Sequence, residues 1–409
     1  MEAITTTSLN PMESEAESPS RPAIGPRQVA LVGLVLMVAA VEFSIAIAQI
    51  FFALTLIAWV AMLVVERRLP KTPAWALPLA LFAAWTLVSA AFSADPRASL
   101  ADSKQLVLLL IVPVVYEIVE ERWAVPVTTI ILAAGACSAL VGIGQYSILH
   151  YDNLGRRPSS TLGMYMTFSG LMMLVLNVAV ARVLFMTKSR IWPAMVTPAL
   201  AVVLALTFTR SAWVGWFCAA ALLLMMRDFR MTAVLPLVAA VFFTTAPTQV
   251  LQRFYSIFDL HDPTNRDRLA MVRAGDQILR EHPITGVGPN MVLRVYPQYR
   301  DSGAVLQNTP HLHNVPLQLA AERGLPALGL WLWFIVALVK GAITLFRASP
   351  RDPPVRFLAA SALAAVVSML GAGLFEYNFG DSEFLMLFLV LVTLPFAVTW
   401  RSPAFRATG

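Results

Sequence analysis

The chain has 409 residues, 58% of them hydrophobic and 13% charged, with a net charge of +6 and a mean hydropathy of +0.70. A composition this far from average excludes an ordinary soluble globular protein and points to an all-α, polytopic membrane protein. The two cysteines, Cys137 and Cys218, each sit inside an apolar run, which excludes a disulfide framework and a thiolate metal site.

Residues 1–27 are rich in Ser, Pro, Thr and Glu. They lack the basic-then-apolar pattern of a cleaved signal peptide, so a disordered cytoplasmic tail is expected there. A bilayer core is crossed by about 20 apolar residues. By that measure spans are expected near 28–42, 45–65, 74–92, 104–119, 124–147, 160–182, 192–208, 211–226, 230–247, 325–347, 356–376 and 383–400. That makes about twelve; the tight breaks at Glu42-Phe43-Ser44 and Thr209-Arg210-Ser211 read as kinks or as turns. With both termini inside, the short loops and tails on the cytoplasmic side carry 17 Lys and Arg. The short outer loops carry five, namely Arg97, Lys104, Arg156, Arg157 and Arg210. The positive-inside rule, counted over short loops, turns the long segment between the ninth and tenth spans outward. Charged residues keep to the span ends, whereas ion-coupled transporters bury such groups at mid-membrane.

The long segment, 248–324, is the one extended polar stretch. It carries eight arginines and no lysine, together with His261, His282, His311 and His313. The arginine fork binds phosphate bidentately where lysine offers a point charge. The segment therefore reads as a site for a phosphorylated, lipid-linked substrate. The competing reading is a solvated surface of ion pairs, since seven Asp and Glu share the segment.

Four groups of residues stand out. Gly144-Gln145-Tyr146 is followed by Arg156-Arg157-Pro158; the tyrosine suits an interfacial anchor, and the arginines suit lipid headgroups or a substrate. Thr209-Arg210-Ser211 puts an arginine at the apolar boundary, which is costly without an anionic partner, unless the side chain snorkels to the interface. Residues 264–281 show helical spacing, with Leu269, Val272 and Ile278 apolar, Thr264 as the cap and His282-Pro283 as the stop. Gly286 and Gly288 then suggest a tight turn. Arg266 and Arg268 fall near that helix's N-terminus, where free N–H groups favour an anion. Last comes Pro310-His311-Leu312-His313-Asn314-Val315-Pro316. Asn314 suits an N-cap, Pro316 a first helical turn and Gly324 the helix end. The helix dipole disfavours an imidazolium at His313, leaving a neutral ring suited to general-base work on a hydroxyl. No Cys, HExxH pattern or carboxylate cluster accompanies His311 and His313, so no metal is expected.

In their order and spacing these groups resemble the O-antigen ligase and polymerase superfamily: Gly144-Gln145-Tyr146 with Arg156-Arg157-Pro158, then Thr209-Arg210-Ser211, the Arg268 helix ending in His282-Pro283 with Gly286-Val287-Gly288, and His313-Asn314 with Leu317. The resemblance implies a GT-C-like glycosyltransferase of the bacterial inner membrane. Its transmembrane helices would occupy 28–247 and 325–400, its periplasmic catalytic loop 248–324, and a cytoplasmic tail 401–409. It further implies inverting transfer of a glycan from undecaprenyl diphosphate to a sugar hydroxyl, of lipid A–core in the ligase branch. Membrane lipids surround the reaction, with no nucleotide sugar, cofactor, metal or nucleic acid. The family's essential histidine falls on His313, its span-end arginine on Arg210, and its loop arginine on Arg268 or Arg266. Arg156 and Arg157 would assist at the diphosphate. Family members often carry tryptophan four residues after the loop arginine, where this chain has Val272.

Three other readings compete. Some polymerases carry loops with arginine followed eleven residues later by glycine, and no outer arginine here has glycine at that offset. Protein O-oligosaccharyltransferases of the same superfamily tend to be longer, with a C-terminal extension. An exporter of lipid-linked sugars needs basic residues along a path through the membrane, which these spans do not supply.

Overall fold

The computed structural model describes residues 25–350 and 353–400. The expected tails at 1–24 and 401–409 lie outside the described residues, as do Arg21, Arg351, Arg401 and Arg406 of the charge count. Pro26 and Arg27, expected at the end of that tail, belong to the first helix.

Among the described residues all regular structure is helical. The helices α1 (Pro26–Ala40) and α2 (Ile45–Glu66) pair as a hairpin across a turn containing Glu42. They are followed by α3 (Ala76–Ala91), then α4 (Pro96–Asp102), which continues through a 3-10 stretch (Ser103–Leu110) into α5 (Ile111–Ile118). Next come α6 (Glu121–Ser147), α7 (Tyr165–Phe185), α8 (Ile191–Leu206), α9 (Arg210–Arg227) and α10 (Val234–Thr245). Shorter elements, α11 (Thr248–Tyr255), α12 (Pro263–Glu281) and α13 (Val292–Tyr299), precede α14 (Val315–Ala348), α15 (Pro353–Gly373) and α16 (Ser382–Thr399). Each expected span falls on helix. Seven helical stretches are long and apolar enough to cross a membrane by length and composition, which fits a multi-pass membrane protein. Others, α1, α3, α8 and Phe229–Thr245, are apolar but shorter.

The centre of the bundle is α7, α15 and α16, whose side chains are buried on nearly all sides. Small residues allow the tightest approach. A Cβ on Gly215 of α9 would lie 2.5 Å from the Ser368 carbonyl of α15, the close backbone contact that small residues give apolar helices. This contact holds α9, whose first residue is Arg210, against α15, whose end leads to Glu376.

The polar segment folds over one end of the bundle. Its own small core, including Met271, Ile278, Tyr296 and Leu312, lies between α12, α13 and the start of α14. One detail differs from the sequence expectation for α12. Asp262 rather than Thr264 caps it, accepting from Asn265 N at 3.2 Å with Pro263 in the first turn. Its buried face is Ala270, Met271, Ala274, Gly275 and Ile278, leaving Leu269 and Val272 exposed. A Cβ on Gly275 would meet Leu317 at 2.7 Å, so a residue without a side chain lets α12 seat on α14 at that point, beside the buried Met271 and Ile278.

The stretch His282–Gly288 is a joint. Val287 N donates to Ala321 O (3.0 Å), Gly288 N to Glu322 O (2.9 Å) and Leu325 N to Pro283 O (2.9 Å). These bonds pin the turn to a kink in α14 at Gly324, where φ is 77°. A Cβ there would lie 1.8 Å from Ile284 O, so glycine is required both by the backbone and by the neighbour. The helix that opens at Asn314 therefore breaks at Gly324 and resumes at once as the apolar part of α14.

Candidate active site

Arg210 opens α9. The chain enters that helix through Phe208, whose φ of 55° is left-handed, and Thr209, the N-cap. A cation there faces the positive end of the helix dipole, so it needs compensation, and the polar segment supplies it. The guanidinium donates to Ser256 O (2.7 Å), Ser256 Oγ (2.9 Å) and Asn265 Oδ1 (2.9 Å), and pairs with Asp262 Oδ1 at 3.4 Å. Asp262 also stands 3.6 Å from Arg253. Burial, then the nearby Arg210 and Arg157, pull the Arg253 guanidinium down to about 10. Sequence reading held Arg253 to be one loop arginine among eight; only its clustering marks it.

Arg268 reaches the same place from α12. Its Nε is buried without a hydrogen-bond partner. Burial pulls this guanidinium below the usual arginine range, with Glu376 acting in the opposite sense. Arg157 completes the set, lying over the Tyr165 ring at 4.1 Å and donating to Leu154 O at 3.1 Å. Its loop is tied down by Gln145, which accepts from Ser159 N and Ser160 N at 2.9 Å each and donates to Ser160 O at 2.7 Å. Burial likewise pulls Arg157 down.

Arg157, Arg210, Arg253 and Arg268 line one cavity of about 80 Å³, with Glu376 in its wall. Four guanidinium groups against the carboxylates of Asp262 and Glu376 leave two positive charges, and the free N–H groups at the start of α9 add to the same field. Two expected residues are elsewhere. Arg266 is exposed and donates to Gly303 O at 3.1 Å. Arg156 is exposed in the loop before α7.

His313 occupies the left-handed region at φ 48°, just before Asn314, whose side chain caps α14 by accepting from Leu317 N at 2.9 Å. Non-glycine residues held in this way gather at functional sites. Its Nδ1 lies 3.0 and 3.1 Å from the two carboxylate oxygens of Glu376. Burial works to raise the Glu376 carboxyl, but His313 and then His311 outweigh it and hold it below the usual range. An ionised carboxylate only accepts, so Nδ1 must carry the hydrogen. In the neutral ring the basic lone pair is then on Nε2, which has no hydrogen-bond partner among the described residues.

His311 stacks edge-on against His313, ring centres 4.2 Å apart, and its buried Nδ1 has no partner. Burial, then His313, push its pKa down to about 4. His311, His313 and Glu376 bring donor atoms within 4.8 Å of one another. No carboxylate cluster accompanies the two histidines along the chain, but the fold brings one carboxylate, Glu376, to them. Glu376 lies 63 residues beyond His313, where no local motif signals it. Two histidines and a carboxylate form a set that zinc accepts.

The fold and site fit a multi-pass membrane protein with an arginine-lined pocket beside a histidine–carboxylate pair at one end of an apolar bundle. Residues 195–332 match the family model described as O-antigen ligase, and this match supports a member of the O-antigen ligase superfamily. The matched residues include Arg210, Arg253, Arg268, His311 and His313; Arg157 and Glu376 lie outside them. No curated protein matches the chain.

Proposed function

We propose that the chain is an inverting glycosyltransferase that moves an O-antigen glycan from undecaprenyl diphosphate to a sugar hydroxyl of lipid A–core, at the periplasmic face of the inner membrane. One observation carries this reading. Glu376 both lines the arginine pocket and holds His313, so an anion site and a base share a wall.

In this reading Arg157, Arg210, Arg253 and Arg268 hold the diphosphate. Their two unbalanced charges suit a diphosphate diester, and Arg268, whose Nε has no partner among the described residues, gains one. His313 Nε2 takes the proton from the acceptor hydroxyl while the hydroxyl oxygen bonds to the anomeric carbon. The bond from that carbon to the diphosphate breaks, and the leaving anion is stabilised by the arginines already aimed at it. A single displacement of this kind inverts the anomeric configuration. Glu376 keeps the imidazole in the required tautomer and stabilises the imidazolium that forms, as a carboxylate does behind other catalytic histidines. Beside the start of α14 an apolar groove of about 290 Å³, lined by Val315, Pro316, Trp331, Met369 and Leu374, offers a place for the lipid tail. No metal is invoked in this scheme.

The test is transfer by the purified protein from undecaprenyl diphosphate-linked glycan to glycan-free lipopolysaccharide, with EDTA and without nucleotide. A ladder on the lipopolysaccharide supports a metal-independent ligase. Lengthening of the lipid-linked glycan alone identifies a polymerase, and activity only after adding Zn²⁺ assigns His311, His313 and Glu376 to a metal.

A further inference from the structure

A second cavity of about 220 Å³ adjoins the arginine pocket and shares Met166 and Glu376 with it. It lies between α7 and the turn that leads into α16. Its polar lining includes Thr167, His311, Asn378 and Asp381, and Phe384 supplies an apolar wall. Drug-sized ligands fill about 300–1,000 Å³, so this space suits one ring rather than a chain of sugars.

Its polar groups are under-used. Asn378 is buried, and its Oδ1 has no partner although its amide donates to Met369 O at 3.2 Å. The buried His311 Nδ1 has none either. Asp381 accepts from the Thr167 hydroxyl and from Phe384 N and shares a hydrogen bond with the Glu383 carboxyl, which still leaves it acceptor capacity for a ligand hydroxyl. Leaving buried polar atoms unmatched costs stability, and residues that carry such atoms beside a cavity make it suited to a ligand rich in hydroxyls. His311 adds its imidazole to the same lining.

We propose that this cavity is a subsite for one sugar ring flanking the bond being made, its hydroxyls bound by Asp381, Asn378 and His311 and its apolar face set against Phe384. The inference rests on the glycosyltransferase reading. Either the ring bearing the attacking hydroxyl or the first sugar of the donor has the chemistry to fill it, and both must come beside Glu376 and His313.

Asp381→Asn tests it, because Asn caps α16 as well as Asp does while losing the charge that strengthens bonds to hydroxyls. The experiment measures initial rates for the full-length protein in nanodiscs, varying a synthetic polyprenyl diphosphate disaccharide and a truncated lipopolysaccharide in turn. The subsite predicts a KM at least about tenfold higher for one of the two, with the other unchanged. A rise for lipopolysaccharide places the acceptor ring there, and a rise for the disaccharide places the donor ring. Asn378→Asp, which keeps the shape and changes the amide, should move the same KM. Unchanged KM values in both variants, with the wild type transferring normally, overturn the subsite. No transfer by the wild type overturns the enzymatic reading itself, and the subsite with it.

Discussion

His313 Nδ1 lies 3.0 Å from Glu376 Oε1, joining the start of α14 to the turn after α15. The contact fixes which ring nitrogen is basic. A glutamine in place of the carboxylate removes the negative charge and is able to present an N–H to Nδ1, which favours the wrong tautomer. Glu376→Gln should therefore lower kcat by about 100-fold while leaving donor affinity largely intact, in keeping with the worth of general-base assistance. Glu376→Asp should recover part of it. Wild-type turnover in Glu376→Gln would show that the contact is structural.

Arg268 and Arg266 are two residues apart yet differ in place. Arg268→Lys keeps a charge but loses the fork, so donor use should drop by about tenfold or more. Arg266→Lys loses only an exposed bond to Gly303 O and should transfer at close to the wild-type rate. Kinetics of the two variants side by side decide between them, and the reverse ranking would move the diphosphate out of the pocket.

His311 predicts a pH effect on stability. Its folded pKa is pushed down to about 4, while an unfolded histidine titrates near 6.5. Between those values the unfolded chain binds the proton and the folded one does not, so stability rises with pH. The contribution is complete above about pH 6.5 and is lost as the pH falls toward 4, on the order of 3 kcal/mol at most. Thermal unfolding at about pH 7.5 and about pH 5 should show a larger loss for the wild type than for His311→Gln. Equal losses would mean that His311 takes up its proton in the folded state.

Gly324→Ala places a Cβ against Ile284 O in a backbone conformation of φ 77°. The left-handed backbone alone costs an L-residue about 1–2 kcal/mol, and the clash adds to it. The variant should melt lower and lose transfer, because the joint sets how α12 sits over α14. An unchanged melting curve would show that the joint yields without cost.

Local chemistry was readable in the chain, and convergence was not. Asn314 as a cap, Pro316 in the first turn, Gly324 as a break and His282 as a stop all follow from rules acting within a few residues, and the structure shows each. Apolar length likewise marked the helices of the bundle. The cap of α12 was misread as Thr264, because Asp262 and Pro263 open the helix two residues earlier. Arg253 and Glu376 carried no local signal. Their places depend on how the polar segment folds back on the ends of α9 and α15, which spacing along the chain does not encode.

The central claim divides the labour: arginines hold the donor, and His313 moves the proton. It is tested most directly by measuring donor binding and single turnover separately, in nanodiscs, for the wild type, His313→Ala and Arg268→Ala. The account predicts that His313→Ala binds the polyprenyl diphosphate glycan within about threefold of wild type but transfers at least about 100-fold more slowly. Arg268→Ala should lose at least about tenfold in binding. Wild-type transfer by His313→Ala, or wild-type binding by Arg268→Ala, would contradict it.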